Sequence, residues 1–208
     1  MKIEFGEWLP DQPALDNPGC IEAKNVVPRI NAFSQLNSPV AFSNALTSAC
    51  LGATWMNDQS GNSYNFAGDS TKLYKHNRTT ATWDNVSRTA TYSTATSWNF
   101  EKFGTLCLAT DVGNPLQYFD MASSTTFQNV GGSPPQARYI ATIRDFVVLG
   151  NLSGNPYRVQ WSGYNNAELW TPSLSTQSDF QDLPGSGGDV QAVVPGEYGV
   201  IFQENSIW

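Results

Sequence analysis

The stretch "DFVVLGNLSGNPYRVQWSG", Asp145 to Gly163, reads as an apolar strand, a Gly/Asn turn and an amphipathic strand. Tight strand reversals favour residues that accept positive φ, and "NLSGN" supplies them. The apolar strand "DFVVLGN" at 145–151 has counterparts in "TLCLATD" at 105–111, "SYNFAGD" at 63–69 and "YGVIFQEN" at 198–205. Each closes on Asp or Asn, at Asp69, Asp111, Asn151 and Asn205, in steps of 42, 40 and 54 residues. The long last step holds "STQSDFQDLPGSGG", rich in turn formers and read as an insertion.

The flanks repeat as well. A second strand follows each turn: "TKLYKHN" at 71–77, "PLQYFD" at 115–120 and "PYRVQWSG" at 156–163. Another strand precedes each apolar one: "ACLGATWM" at 49–56, "SWNFEKF" at 97–103, "ARYIATIR" at 137–144 and "VQAVV" at 190–194. A polar stretch with one aromatic closes each unit: "TATWDNVS" at 80–87, "STTFQNV" at 124–130 and "NNAELWTPS" at 165–173. Its Trp83, Phe127 and Trp170 are expected to pack blade edges. Four short strands in about forty residues match a β-propeller blade. A β-sandwich also spaces strands closely, but it does not require the same set to recur in the same order. Near-continuous hydrophobicity in the second strand implies cover on both faces, which neighbouring blades provide. Val147, Leu149, Leu106 and Leu108 are therefore expected to be buried.

The expected fold is all-β and β-propeller-like, with about three and a half four-stranded blades at 49–87, 97–130, 137–174 and, in part, 190–208. Residues 1–48 stand outside the repeat. "LPDQPALDNPG" contains three prolines, so this N-terminal arm should be extended or turning. "ENSIW", ending at Trp208, should enter the strand after the fourth apolar strand. The repeat thus predicts a larger propeller, completed by further chain or by other chains.

Composition narrows the function. Hydrophobic residues make up 40% and charged residues 14% of the 208, against about 25% charged in ordinary soluble domains. The net charge of −7 leaves no basic footprint for tight nucleic-acid binding. The longest basic cluster, Lys72, Lys75, His76 and Arg78, reads as a solvated strand and turn. An acidic wall could still let DNA slide past by not holding its phosphates. Cys20, Cys50 and Cys107 are odd in number and widely spaced, with no zinc pattern, and read as buried free thiols. No run of about eighteen apolar residues predicts a membrane span.

Catalytic motifs are missing. GxSxG, HExxH, a Walker loop and a strand-borne GxGxxG do not occur, and His76 has no evident metal partners. No catalytic, cofactor-binding or metal site is assigned, and no cofactor is expected. Asp69, Asp111 and Asp120 are the carboxylates that could pair in a glycosidase. The simpler reading is that Asp at a strand end caps a turn.

Several segments resemble a known family. "EAKNVVPR", "YNFAGDSTKLYK", "PLQYFD", "SPPQARYIATIRDFVVLGN" and "RVQWSGYNNAELWTP" look like bacteriophage tail structural proteins. They are most similar to the tail nozzle, or packaged-DNA-stabilising, proteins of short-tailed phages. The resemblance implies a non-enzymatic virion protein, made in the host cytoplasm and located in the tail. It implies self-association in a ring, expected to be a hexamer, and contact with tail adaptor or portal-proximal proteins. DNA would be touched in passage during genome ejection, without tight binding. The alternative is a propeller-type carbohydrate-binding or glycosidase protein acting on the host surface.

Overall fold

The computed structural model describes residues 6–30, 32–183 and 185–208. The chain divides into two compact units, Met1–Phe42 and Ser43–Trp208. No helix occurs among the described residues. In the first unit, β1 (Val26–Arg29) and β2 (Ala32–Gln35) form an antiparallel hairpin. A bridge joins Trp8 to Cys20. Leu15, Ile30, Val40 and Phe42 stay exposed, as expected of a proline-rich segment with few ladder bonds.

The second unit holds three four-stranded antiparallel sheets and one two-stranded sheet, each with its strands in chain order. The first is β3 (Gly52–Asn57), β4 (Ser63–Gly68), β5 (Leu73–Asn77) and β6 (Thr82–Asn85). The second is β7 (Asn99–Phe103), β8 (Leu106–Asp111), β9 (Asn114–Asp120) and β10 (Gln128–Asn129). The third is β11 (Ala137–Ile143), β12 (Phe146–Leu152), β13 (Asn155–Trp161) and β14 (Asp179–Asp182). β15 (Val190–Val194) and β16 (Val200–Gln203) complete the unit. Beyond β16 the chain turns back, and Trp208 and Ile201 exchange both backbone hydrogen bonds, at 2.9 and 3.0 Å.

The unit begins at Ser43 because side chains ahead of β3 are tied to the first sheet. Asn44 Oδ1 accepts from the Trp83 amide at 2.7 Å, and Ser43 Oγ accepts from the Trp83 indole at 3.0 Å. Thr47 donates its hydroxyl to Asp69 at 3.1 Å.

The third sheet departs from the sequence expectation. Its fourth strand is Asp179–Asp182, inside the stretch read as an insertion, and 165–173 is loop. Ala167 and Trp170 are both buried in one core. Three residues apart on a strand, they would face opposite sides, so only an irregular backbone buries both together. β14 instead gains an ion pair across its register, with Arg158 Nη2 2.9 Å from Asp182 Oδ2.

Three cores lie between consecutive sheets. Phe66, Leu73, Cys107, Ala109, Phe119 and Phe127 fill the first, between the first and second sheets. Leu108, Leu116, Val147, Leu149 and Trp170 fill the second. Val148, Val159, Val190 and Val193 fill the third. The alternation along the apolar strands explains them. Cys107 and Ala109 face one core and Leu108 the other; Val147 and Leu149 face one core and Val148 the next. The second strands β8 and β12 are each covered on both faces, and Val147, Leu149 and Leu108 are fully buried. Leu106 is only half-buried, because it starts β8 where the sheet meets solvent. Phe127 and Trp170 are buried as expected, whereas Trp83 is half-buried against His76, with ring centroids 5.1 Å apart.

Candidate functional site

The first strands of the successive sheets, β3, β7, β11 and β15, lie next to one another in that order. Hydrogen bonds join β3 to β7 and β7 to β11 at both ends, and β11 to β15 at the trailing end. At the leading end, the Trp98 amide donates to the Leu51 carbonyl at 3.1 Å and Asn99 Nδ2 to the Arg138 carbonyl at 2.9 Å. At the trailing end, Lys102 Nζ donates to the Asn57 carbonyl at 2.6 Å, and Thr142 Oγ1 to the Lys102 carbonyl at 2.8 Å. Arg144 Nε reaches the Glu197 carbonyl at 2.9 Å, beside a parallel bridge between Ile143 and Gly196.

A second seam fixes each apolar strand to the sheet that follows. Trp98 Nε1 donates to the Asp69 carbonyl at 2.8 Å, Thr110 Oγ1 to the Ala137 carbonyl at 2.7 Å, and Asn151 Nδ2 to the Val190 carbonyl at 2.8 Å. Thr110 and Asn151 donate from the end of the apolar strand to the first residue of the next sheet, whereas Trp98 donates in the reverse direction, from the next sheet to the end of the apolar strand. Side-chain donors meet main-chain acceptors that no ladder uses, which keeps buried carbonyls satisfied.

The edge formed by the first strands is the candidate functional surface. Its only charged residues are Glu101, Lys102 and Arg138, so the −7 of the chain is not concentrated there. Trp55 is 62% exposed on this edge. Burial pushes the Glu101 carboxyl above its ordinary value.

The three candidate carboxylates do not assemble. Asp69 and Asp111 are buried at the β4–β5 and β8–β9 turns, and each is occupied by turn donors. Asp69 Oδ1 accepts from the Thr71 and Lys72 amides, both at 2.8 Å, and Oδ2 accepts from the Tyr74 hydroxyl at 2.8 Å. Burial opposes the charge on Asp69, but amide and hydroxyl donation from Thr71, Tyr74, Lys72 and Thr47 outweighs it and holds the carboxyl below its ordinary value. Tyr74 and Thr47 are also joined by a very short hydroxyl contact. Asp111 accepts from the Thr96 amide at 3.0 Å on Oδ1 and the Gly113 amide at 2.9 Å on Oδ2.

Asp120 caps a turn at the other end of β9, where Ser123 Oγ donates at 2.6 Å and the Ala122 amide at 3.0 Å. These bonds hold it below the ordinary carboxylate value. Asp111 pairs with Asn114 and Asp120 with Leu106, at opposite ends of the β8–β9 hairpin. Six residues of strand separate them by roughly 20 Å, too far for a glycosidase pair, whose carboxyls stand about 5–9.5 Å apart.

The cysteines differ from the expectation of three buried thiols. Cys107 is buried, Cys20 half-buried and Cys50 exposed. Cys107 sits in the first core, while Cys50 precedes β3 and has no neighbouring sheet over it. Burial drives the Cys107 thiol well above its ordinary value. Among the described residues, no three His, Cys, Asp or Glu gather as a metal site. Among the described residues, no helix is long and apolar enough to cross a membrane. Sequence reading missed the roles of Thr47, Tyr74 and Glu101. Only the recurrence of Asp at the strand ends signalled the clasp around Asp69.

No protein-family model and no curated protein matches the chain. Among solved structures, the crystal structure of the computationally designed Ika4 protein is similar, with a TM-score of 0.52 and 10% identity. The match covers 82% of this chain and 98% of that one. At this identity the likeness is one of fold alone. Fold and site together define an all-β protein of stacked four-stranded antiparallel sheets.

Proposed function

We propose that this chain is a structural protein of a bacteriophage tail, a nozzle-type ring component that retains packaged DNA and conducts it during ejection. Its sheets are blades of a β-propeller whose first strands face the axis. The observation that carries this reading is the seam: four consecutive first strands side by side, with β3–β7 and β7–β11 hydrogen-bonded at both ends and β11–β15 at the trailing end. Sheets hinged along one line and packed face to face must fan around it, and repetition of that step generates a propeller.

The resemblance to tail proteins supports the assignment. "RDFVVLGN" forms the turn into β12 and most of that strand, which feeds two of the three cores. "VQWSGYNNAELWTP" runs from β13 into the loop that carries Trp170 into the second core. These segments specify architecture rather than chemistry. An edge with few charges suits a conduit, since phosphates neither bind it tightly nor are driven away from it. The functional state is a ring of copies of this chain, a hexamer, set against adaptor or portal-proximal proteins, with DNA in passing contact and no catalysis.

The test is peptide mass spectrometry of purified particles, combined with gold-labelled antibody against this chain. The protein should be present in multiple copies with label at the tail. Its absence from particles would overturn the reading.

A further inference from the structure

The loop 163–170 is not absorbed by the conduit reading. It replaces the expected strand, yet it is held rigidly. The Asn165 amide donates to the Asp145 carbonyl at 2.8 Å and the Gly163 amide to the Leu169 carbonyl at 2.6 Å. Asn166 Oδ1 accepts from the Glu168 amide at 2.8 Å, and Trp170 Nε1 donates to the Ala167 carbonyl at 2.6 Å. In the connection between β10 and β11, Gly132 has φ +72, and a Cβ there would stand 1.7 Å from the Glu168 carbonyl oxygen. The loop is thus seated on the connection between β10 and β11 by direct backbone contact that only glycine permits.

Between this loop and the open end of the second sheet lies a cleft of about 380 Å³. Phe103, Leu106 and Tyr118 form one wall, with Asn165, Asn166 and Glu168 opposite. The aromatic wall is half-buried and the polar wall exposed. Loop bonds use only Asn166 Oδ1 among the polar groups of these side chains. The Glu168 carboxylate, the Asn165 side-chain carboxamide, Asn166 Nδ2 and the Tyr118 hydroxyl are left for a ligand. The volume falls at the small end of ligand clefts, roughly 300–1,000 Å³.

We propose that this cleft binds a sugar unit of a neutral glycan. A pyranose presents an apolar C–H face and a rim of hydroxyls that both donate and accept. Phe103, Leu106 and Tyr118 meet the first; a carboxylate acceptor, two carboxamides and a phenol meet the second. A phosphate is disfavoured by Glu168 and by the net charge of −7. A metal ion lacks ligands, since Glu168 is the one carboxylate lining the cleft. Fixing the loop in advance lowers the ordering cost of binding. The assignment is independent of the tail reading.

Ligand-observed NMR titration of the full chain with the methyl glycosides of glucose, galactose, mannose, N-acetylglucosamine and rhamnose tests it. At least one should bind saturably at millimolar concentration. Glu168→Ala, on an exposed side chain, should weaken that binding about tenfold by removing a charge-assisted acceptor. Tyr118→Phe, which keeps the ring, should weaken it several-fold, with the melting temperature of both variants unchanged. Failure of every glycoside to bind, or binding unaltered in both variants, overturns the assignment. Particle composition is read separately, so loss of the sugar site with the protein still in the tail leaves the conduit reading intact, and the reverse also holds.

Discussion

Trp98 Nε1 donates to the main-chain carbonyl of Asp69 at 2.8 Å, so the residue ahead of β7 grips the end of β4. The contact extends to the indole face. A Cβ at Gly68 would lie 2.3 Å from the Trp98 ring, and one at Gly52 2.0 Å from the Trp98 carbonyl oxygen. One tryptophan therefore locks two sheets, and two glycines make room for it.

Trp98→Phe should cost about 1–3 kcal/mol, as it strands a buried carbonyl. Gly68→Ala should cost a similar amount, about 1–3 kcal/mol, through overpacking against the ring. Urea unfolding of each variant measures both. Full stability in Gly68→Ala would contradict the close approach.

Leu149→Ala should lose about 2–5 kcal/mol, the range for truncating a fully buried leucine. Leu106→Ala should lose less than Leu108→Ala, because Leu106 is half-buried and Leu108 fully buried. Chemical denaturation ranks the three, and a loss below about 0.5 kcal/mol for Leu149→Ala is incompatible with the second core.

Asp69 supplies a pH dependence of definite sign. Its folded carboxyl lies below the ordinary 3.8, so the folded state prefers the ionised form. That stabilisation is complete above the ordinary value and disappears as pH falls through the folded one. Asp69→Asn should therefore be less stable than the parent at pH 7, with the difference shrinking in acid. Glu101 behaves oppositely. Its carboxyl is raised above 4.5 by burial, so stability declines as pH rises from 4.5 through the folded value. Glu101→Gln should be as stable as the parent at pH 7 or more so. Unfolding curves collected from acid to neutral pH test both signs.

Thiol accessibility gives a further check. Under native conditions iodoacetamide should label Cys50, label Cys20 more slowly and leave Cys107 untouched until the protein unfolds, following exposure and thiolate availability. Native labelling of Cys107 would place β8 outside the first core.

Much of the architecture was legible in the sequence because it is periodic. The apolar strands ending at Asp69, Asp111 and Asn151 carry a pattern that requires two covered faces, and the sheets supply both for the strands ending at Asp111 and Asn151. The fourth strand of the third sheet was not legible. "NNAELWTPS" has the composition of its counterparts, and nothing local distinguishes a strand from a loop that buries Ala167 and Trp170 on one side. "SDFQD" looks like a turn region until Arg158 is placed opposite Asp182. Leu106 has the same pattern as Leu108, yet it lies at a strand end, which alternation does not encode. The cleft beside Glu168 was also hidden, since it arises from the contact of Gly132 with a loop about thirty-five residues away in sequence.

The central claim is that the seam of first strands continues around an axis and that the resulting domains form a ring in a phage tail. A cryo-electron microscopy map of intact particles of the encoding phage tests it most directly. The account predicts density for these three four-stranded sheets as consecutive propeller blades, in several symmetry-related copies below the portal, with β3, β7, β11 and β15 innermost. A tail map fully explained by other proteins, or one in which these sheets join into a single continuous sheet, would contradict it.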